Sequence, residues 1–335
     1  MSGWRDRLST TERDALKRAE HPDWLSPMLA TLTEKRFSDP GWIYERKLDG
    51  ERLLGFRDGD RVRLLTRNRK SAADTYPEVV EALAGQPVDG FVVDGEVVAF
   101  DGNVSSFSRL QQRMKIDDPD KARASGVAVY FYVFDLPWFD GYVLDDLPLR
   151  TRKGILRREF GFDDAIRFTA HRNRDGEDYF EQACAKGWEG IIAKRADSTY
   201  RHSRSRDWLK FKCSKGQELV IAGFSEPQGE RTGFGALLVG YHDDDGELRY
   251  AGKVGTGYDD EFLADFRERL DRIATDDCPF ADGPSGSGVT WVKPRFVGEF
   301  AFTEWTRTGK LRHPRFLGLR RDKKPGDVVR EEADD

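Results

Sequence analysis

The stretch Glu45-Arg46-Lys47-Leu48-Asp49-Gly50-Glu51-Arg52 decides how this chain is interpreted. The apolar run Trp42-Ile43-Tyr44 precedes it and is typical of a strand, and the Asp49-Gly50 pair predicts a turn directly after Lys47. A lysine can act as a nucleophile only after losing its proton, and burial with a nearby cation or metal ion would lower its pKa. The alternative is a solvated turn of mixed charge, and the stretch alone does not decide between the two.

Two further segments place an acid and a glycine next to apolar residues. In the run from Phe91 to Phe100 the triplet Asp94-Gly95-Glu96 is either a hairpin turn or a strand in which Glu96 is a metal or ribose ligand. In Trp188-Glu189-Gly190-Ile191-Ile192-Ala193-Lys194 an acid again leads into a strand. Carboxylates of this kind are suitable ligands for Mg²⁺, which prefers oxygen.

Trp208-Leu209-Lys210-Phe211-Lys212 alternates with the period of a strand. Lys210 and Lys212 are therefore predicted on one face, with Leu209 and Phe211 on the other. Two adjacent ammonium groups repel each other unless an anion such as a triphosphate lies between them. The alternative is an exposed strand edge protected by lysines.

Length and composition indicate a protein of two domains without a membrane anchor. The chain has 335 residues, more than one core usually serves. It contains no apolar run of about 20 residues and no apolar signal segment, so a soluble, cytoplasmic protein is expected.

The net charge of -5 argues weakly against a nucleic-acid partner, but residues 307–324 hold eight basic residues and one acid. The cysteines Cys184, Cys213 and Cys278 form no C-x-x-C pair and are expected to be reduced thiols.

The pattern of strands and helices changes near residues 214–217, where a domain boundary is predicted. Residues 1–24 are interpreted as an N-terminal extension with a capped helix from Ser9 to Ala19, and 331–335 as an acidic tail. Residues 25–214 mix helices with strands. Residues 217–330 contain five short strands and one helix, the pattern of an OB-type barrel.

Taken together, these motifs resemble those of the covalent nucleotidyltransferase superfamily of ATP-dependent DNA ligases, RNA ligases and capping enzymes. The motifs occur in order over about Pro27 to Val329, and they look closest to the ligase domain of bacterial DNA ligase D. That closer likeness is carried by Pro27-Met28-Leu29-Ala30, by Arg204 to Lys210, and by Glu304-Trp305-Thr306-Arg307. The resemblance implies an α+β fold: an ATP-grasp-like adenylation (nucleotidyltransferase) domain of antiparallel sheets with helices, followed by an OB-fold β-barrel.

The resemblance also implies a role for each matching residue. Lys47 would carry AMP covalently. Contacts to AMP, its ribose or the phosphates are implied for Glu45, Arg52, Arg67, Glu96, Phe134, Arg204, Lys210, Lys212, Arg312 and Lys323. Among these, Glu45 would accept from the adenine amine and Phe134 would stack on adenine. Glu96 and Glu189 would bind the metal, and the basic run from Arg312 to Lys323 would grip the leaving pyrophosphate.

The implied reaction is ATP-dependent sealing of 5′-phosphate/3′-hydroxyl nicks, with Mg²⁺ or Mn²⁺ as cofactor. The expected partners are nicked or broken double-stranded DNA and a Ku-type end-binding protein, and the protein is expected to be a monomer. Alternatives are an RNA ligase, a GTP-dependent capping enzyme, or a non-catalytic OB-fold scaffold. The basic run from Arg312 to Lys323 must reach the pyrophosphate in the first step, whereas duplex DNA must occupy the same cleft in the later steps. One surface cannot serve both at once, so a hinge between the two domains is expected near Lys215.

Two positions depart from the family pattern. Arg69 and Ser203 stand where glycine is common in relatives, and either replacement would alter the local backbone.

Overall fold

The computed structural model describes residues 3–162, 165–213, 215–227, 232–284 and 288–331. The chain divides into two compact units, one ending at Cys213 and one spanning 214–331. Residues 1 and 2 of the predicted extension, Ser214 of the predicted boundary and residues 332–335 of the predicted tail lie outside the described residues.

The first unit combines two antiparallel-rich sheets with short helices. Its described strands are β1 Lys17–Arg18, β2 Leu29–Leu32, β3 Trp42–Lys47, β4 Glu51–Asp58, β5 Arg61–Thr66, β6 Gly90–Val98, β7 Phe100–Asp101, β8 Val104–Ser105, β9 Tyr130–Phe139, β10 Tyr142–Val143, β11 Ile166–Phe168, β12 His171–Arg172, β13 Gly190–Arg195 and β14 Arg204–Lys212. Its described α-helices are α1 Thr10–Ala15, α2 Pro77–Ala84, α3 Phe107–Met114, α4 Pro119–Ala124, α5 Leu149–Glu159 and α6 Gly176–Ala185, preceded by a 3₁₀ turn at Trp4–Arg7.

One sheet has the strand order β1-β10-β9-β6-β4-β5, with β11 pairing in parallel with β9. Strand β6 lies between β4 and β9 and is buried along almost its whole length, which explains its continuous apolar run. Helix α2 packs Val79 and Leu83 against this sheet, in a core that also includes Phe91 and Phe131. Burial of one helix face against one sheet face therefore builds the main core of the unit.

The other sheet has the order β12-β3-β13-β14-β2, and its two faces differ in chemistry. Helix α6 covers one face, where Tyr44, Ile191 and Phe211 pack together. Because side chains alternate along each strand, the opposite face carries Glu45, Lys47, Lys194, Lys210 and Lys212. The prediction that Lys210 and Lys212 share a face is confirmed by the burial of Phe211 on the α6 side.

The two sheets of the first unit meet through a cluster of large side chains. Met28, Phe134, Tyr200 and Trp208 pack together, with Phe134 contributed by β9 and Trp208 by β14. The charged face of the second sheet thus turns toward the first sheet, and a cleft of polar residues lies beside an aromatic wall.

One local prediction is confirmed and one needs correction. Of the two interpretations of Asp94-Gly95-Glu96 the strand is correct and the hairpin turn is not, since β6 continues through the triplet with a bulge in its pairing with β9. Gly95 is required there by close packing, because a Cβ atom would come within 2.6 Å of the Tyr132 carbonyl oxygen. The capping box at Ser9 is confirmed, but helix α1 ends at Ala15 because Lys17 and Arg18 pair with β10.

The prediction of three reduced cysteines is wrong for two of them. Cys184 of α6 and Cys213 at the end of β14 form a disulfide across 29 residues of sequence, whereas Cys278 is free and exposed. The spacing of the cysteines in the sequence matches no disulfide motif, so the pairing could not be predicted. The two residues come together because α6 packs on the sheet that contains β14. The disulfide therefore fastens the helix to the last strand of the first unit.

The second unit is built on a strongly bent antiparallel sheet. Its described elements are β15 Lys215–Ser225, β16 Leu237–His242, β17 Leu248–Val254, α7 Asp260–Asp271, β18 Ala274–Thr275, β19 Val289–Phe302, β20 Glu304–Trp305, β21 Leu311–Arg312, β22 Arg315–Arg320 and a 3₁₀ turn at Pro325–Asp327. The strand order is β17-β16-β15-β19-β18, with β22 also on β19. Helix α7 buries Leu263, Phe266 and Leu270 in its core.

The strands and the single helix agree with the OB-type prediction, but the expected closed barrel is not seen. Within the described ranges no ladder joins the two ends of the sheet. The apolar pattern of the sequence predicts two separate strands at 288–292 and 297–302, but the structure has one strand there, β19, which bends at the register shift opposite Ile221 and Gly223. Its curvature lets one strand contribute to both halves of the sheet.

Arg69 and Ser203, which stand where relatives often have glycine, differ in their backbone φ angle, and this difference gives a prediction. Arg69 has φ = 62° in the turn after β5, whereas Ser203 does not have a positive φ. A side chain in the left-handed region costs about 1–2 kcal/mol, partly offset by the entropy that glycine loses on folding. We expect Arg69→Gly to raise the free energy of unfolding by up to about 1 kcal/mol in urea titration. Ser203→Gly is the matched control and should give no gain; equal gains would contradict the explanation.

Candidate active site

Lys47 lies at the end of β3, beside a position that must be glycine. Gly190 of β13 pairs with Lys47 on one side and with Lys212 of β14 on the other. Its φ is 149°, and a Cβ atom there would lie 1.9 Å from the Phe211 carbonyl oxygen. Lys47 and Lys212 therefore lie on the two strands that flank β13, on either side of a residue without a side chain.

The Lys47 ammonium forms an ion pair with Glu189. Nζ donates to Oε2 at 2.5 Å, and each side chain is about one-fifth exposed. Burial and the Lys212 ammonium lower the pKa of Lys47, but the Glu189 carboxylate outweighs them and the pKa is raised above its ordinary value. Burial and a nearby cation therefore act on Lys47 as predicted, but the Glu189 carboxylate, which was not foreseen as a partner of the lysine, reverses the net direction.

This ion pair gives a prediction about the reactivity of Lys47. Glu189→Gln removes the carboxylate while Lys212 remains, so the pKa of Lys47 should fall and its amine should be neutral at lower pH. Competitive labelling with an amine-reactive reagent across pH, read by peptide mass spectrometry without ATP, measures this directly. Asp146→Asn, which removes the exposed partner of Lys17, is the matched control and should leave Lys47 unchanged. An unchanged Lys47 profile in Glu189→Gln would show that the ion pair does not control the amine.

Glu45, two residues before Lys47, is at the centre of a buried charge cluster. Its two carboxylate oxygens each lie 2.6 Å from an ammonium, Lys153 on α5 and Lys194 on β13. All three side chains are only 2% exposed. Desolvation opposes ionisation of Glu45, yet the two lysines hold its pKa below the usual value. Burial lowers the pKa of Lys194 to about 8 despite the Glu45 carboxylate.

Arg52 of β4 is fixed by a second buried network. Its Nε and Nη2 donate to the two oxygens of Asp94 at 2.5 and 2.6 Å, and Nη2 also donates to the Met28 carbonyl at 3.1 Å. The Tyr200 hydroxyl donates to Asp94 at 2.6 Å and accepts from the Met28 amide. The bidentate pair keeps the guanidinium fork at one orientation toward the cleft.

The aromatic ring of Phe134 adjoins both networks. The Arg52 guanidinium lies 4.5 Å and the Lys194 ammonium 4.1 Å from its centroid, and Trp208 packs edge-on at 6.0 Å. The ring is 8% exposed. The structure thus brings Lys47, Glu45, Glu189, Arg52 and Phe134 into one cleft of the first unit.

The other predicted residues of the first unit lie around this group. Glu96 is opposite Arg52 and Tyr132 in the ladders of β6. Arg67 lies in the turn that follows β5. Arg204, at the start of β14, is exposed and its Nη1 donates to the Ala30 carbonyl at 2.5 Å.

The predicted residues of the last motif lie in the second unit. Arg312 is exposed on β21 and pairs with Glu304 at 2.6 Å, and Lys323 pairs with Glu218 at 2.9 Å. Between them Arg320 of β22 makes a buried pair with Asp322 at 2.8 Å. Three basic side chains of this motif, Arg312, Arg320 and Lys323, are therefore each paired with a carboxylate of the same unit.

Sequence reasoning missed several residues that organise the cleft. They are Asp94, Lys153, Lys194, Tyr200 and Trp208. Asp94 had a signal, since an acid in a continuous apolar strand must find a buried partner. Lys194 at the end of an apolar strand had the same signal, whereas Lys153 is 108 residues from Glu45 and had none.

Within the described ranges, no group of three or more His, Cys, Asp or Glu side chains is placed to hold a metal ion. The same residues include no helix with the length and apolarity needed to cross a membrane.

A lysine in a cleft between two sheets, followed by an OB-type unit, is the arrangement of the nucleotidyltransferase fold. Residues 27–212 match the family model described as the ATP dependent DNA ligase domain, and residues 230–323 match its C-terminal region. The first match covers more than half of the 335 residues, so the chain belongs to the ATP-dependent DNA ligase family. The resemblance found in the motifs is confirmed.

Two relatives with high identity are named as end-joining proteins. The multifunctional non-homologous end joining protein LigD of Pseudomonas aeruginosa is 39% identical over 318 residues, which are 92% of this chain and 37% of the relative. The corresponding DNA repair protein LigD of Mycobacterium tuberculosis is 39% identical over 320 residues, 92% and 40% of the two chains. This chain thus spans about two-fifths of the length of these relatives. A solved structure, mycobacterial DNA ligase D complexed with ATP and MES, is 36% identical, with a TM-score of 0.64 over 92% of this chain and 98% of the other.

Proposed function

We propose that this protein seals 5′-phosphate/3′-hydroxyl nicks in duplex DNA with ATP, through an AMP group carried covalently on Lys47. The observation that carries the proposal is the position of Lys47, ion-paired to Glu189 and flanked by Lys212 across a glycine. A rigid amine among cations suits attack on a polyphosphate, because the cations offset the negative charge of the reacting group.

The first step transfers AMP to the protein. The Lys47 ammonium loses its proton to solvent, and the neutral amine attacks the α-phosphorus of ATP. A phosphorus–nitrogen bond forms, the bond to the bridging oxygen breaks, and pyrophosphate leaves. Lys210 and Lys212 lie on the same face as Lys47 and would neutralise the charge that develops on the phosphate oxygens.

Two further transfers complete the seal. An oxygen of the nick 5′-phosphate attacks the lysyl-AMP phosphorus, which releases the Lys47 amine and yields a 5′-adenylated strand. The 3′-hydroxyl then attacks the 5′-phosphate, a phosphodiester bond forms, and AMP leaves. Splitting the condensation into three displacements keeps each barrier moderate.

The surrounding residues are proposed to bind the nucleotide. Glu45 would accept from the adenine amine as a third donor to its carboxylate, and Phe134 would stack on the base. Arg52 would bind ribose or the nick phosphate, and Arg67 and Arg204 would bind phosphates. Arg312 and Lys323 of the second unit would bind pyrophosphate, with residues near Lys215 acting as the hinge.

Mg²⁺ or Mn²⁺ is the proposed cofactor. Glu189 and Glu96 would hold the ion, and two carboxylates suit a metal whose other ligands are phosphate oxygens and water. When bound, the ion would polarise the phosphate oxygens and strengthen the electrophile. Glu189 would then exchange its ammonium partner for the metal, which favours the neutral form of Lys47.

The biological setting is proposed from the relatives. Because LigD proteins carry end joining in their names, we propose that this chain acts on nicked or broken chromosomal DNA as a monomer, with a Ku-type end-binding protein as partner.

A nick-sealing assay tests the proposed function. The wild-type chain should seal a labelled nicked duplex with ATP and a divalent metal, and it should form little adduct with GTP. Comparing nicks with a 3′-deoxy end and with a 3′-ribo end shows whether the protein prefers a DNA or an RNA strand at the 3′ side of the nick. Labelling by GTP alone would indicate a capping-type transferase, and sealing only of RNA strands would indicate an RNA ligase. Binding without any nucleotide adduct would indicate a scaffold.

A further inference from the structure

A second cavity of the first unit is not used by the proposed reaction. Its volume is about 760 Å³, within the range of about 300–1,000 Å³ that is typical of ligand sites. It lies between the end of β3, the loop after β7, the start of β9, β11 and the end of α6. Its lining includes three cationic side chains, Arg46, Arg167 and Lys186, and the aromatic side chains Tyr130, Tyr132 and Trp188.

The cations of this cavity are packed on its aromatic rings. The Arg46 guanidinium lies 4.2 Å from the centroid of Trp188, and the Lys186 ammonium lies 5.2 Å from it. The Arg167 guanidinium lies 5.3 Å from the centroid of Tyr130. The lining therefore alternates flat apolar faces with positive charge.

The positive charge of the cavity has no counter-charge in the described part of the chain. No carboxylate lines the cavity, and none of the three cations is within ion-pair distance of a described carboxylate. Arg46 donates from Nη2 to the Asn103 carbonyl at 3.0 Å, but its Nε is buried without a hydrogen-bond partner. Burial also lowers the pKa of Arg46, which reflects the same uncompensated charge. A bound anion would offset this positive charge.

The cavity adjoins the candidate active site along three elements. Arg46 is the neighbour of Lys47, Trp188 is the neighbour of Glu189, and Tyr132 is opposite Glu96 in the sheet. Side chains alternate along β3, so Arg46 and Lys47 lie on opposite faces of the sheet, and a DNA strand whose end lies at Lys47 would reach the cavity past the end of β3.

We propose that this cavity binds an unpaired nucleotide at the end of the DNA strand being joined, with its phosphate among the three cations and its base against Trp188 or Tyr130. The inference rests on the proposed function. Base faces in a duplex are covered by neighbouring bases, so stacking on protein aromatics requires an unpaired base. Alternating aromatic and cationic side chains are the usual lining of sites for single strands.

Charge reversal at the two cations farthest from Lys47 in sequence tests the site. The variant Arg167→Glu/Lys186→Glu is compared with Arg158→Glu/Arg174→Glu, which makes the same charge change at exposed positions outside the cavity. Fluorescence anisotropy gives the affinity for a labelled oligothymidylate and for a fully paired nicked duplex, over a series of salt concentrations.

The cavity variant should bind the single strand at least tenfold more weakly, with a salt slope smaller by about 0.7, the contribution of one lost phosphate contact. Its affinity for the paired nick should change less than threefold, and lysyl-AMP formation with ATP less than twofold. Equal losses in both double variants, or none in either, would overturn the proposal. Arg167→Gln/Lys186→Gln repeats the test with a smaller perturbation if charge reversal lowers Tm.

Two further arms identify what the cavity recognises. An abasic strand of equal length should bind the wild type severalfold more weakly, and equal binding would show that no base is stacked. Mononucleotide AMP should compete poorly with the strand, and strong competition would assign the cavity to a free nucleotide instead. Absence of lysyl-AMP in the wild type would refute the proposed function separately, because the strand-binding result does not depend on it.

Discussion

Replacing Lys47 by alanine is expected to abolish the covalent AMP adduct, with self-adenylation falling by at least about four orders of magnitude. Loss of a covalent nucleophile has effects of this size, because the neighbouring groups can only stabilise a displacement that no longer has an attacking atom. Incubation with ATP and Mg²⁺ followed by intact-protein mass spectrometry should show one adenylyl group on the wild type, mapped to the peptide that contains Lys47. The alanine variant should show none.

Lys47→Arg is the matched control for charge. It keeps a cation near Glu189, but a guanidinium stays protonated and cannot attack phosphorus, so it should also fail to form the adduct. Both variants should still seal a nick that is already 5′-adenylated, since the last step does not use the amine. An adduct of wild-type yield in either variant, for example on Lys212, would refute the assignment of Lys47.

Replacing Glu45 by glutamine is expected to destabilise the first unit by about 3–5 kcal/mol, the range for breaking a buried ion pair. The change keeps the shape of the side chain but leaves the Lys153 and Lys194 ammonium groups, each 2% exposed, without their counter-charge. Urea titration of both proteins at neutral pH measures the difference. Asp146→Asn breaks the pair with Lys17, whose partners are 73% and 49% exposed, and should cost less than about 1 kcal/mol.

The pH dependence distinguishes this charge effect from a packing defect. The pKa of Lys194 is about 8 in the folded protein, below its ordinary value of 10.5, so the unfolded chain binds more protons between these values. Stability linked to Lys194 therefore rises as the pH increases through this window. In Glu45→Gln the pKa of Lys194 should fall further below 8, so the stability deficit should shrink as the pH rises toward about 8. A deficit that is constant from pH 6 to pH 8 would indicate lost packing instead.

Local sequence signals predicted most elements of the first unit and the order of elements in the second. The turn after Lys47 and the alternation of β14 each depend on neighbours within a few residues, so the sequence contains the whole signal. Strand β19 was read as two strands because residues 293–296, with Lys293, Pro294 and Arg295, interrupt its apolar pattern. Pairing with β15, more than 60 residues earlier, keeps it continuous.

The charge network of the site could be predicted only in part. The motif positions identified Lys47, Glu45, Arg52 and Glu189 as members of one cleft. They did not reveal that Glu189 would raise the pKa of Lys47, because that depends on a distance between side chains 142 residues apart. The disulfide of Cys184 was missed for the same reason, since its partner is brought near only by packing of α6 on the sheet.

Gly190 links the steric and the chemical demands on this protein at a single position. Even a methyl group there collides with the backbone of β14, and the same residue pairs with Lys47 on one side and with Lys212 on the other. A substitution of Gly190 that lowers activity could therefore act by misfolding the sheet or by slowing the reaction, and activity alone would not separate these causes. Substitutions of Lys47 and Lys212 are the better choice for separating them.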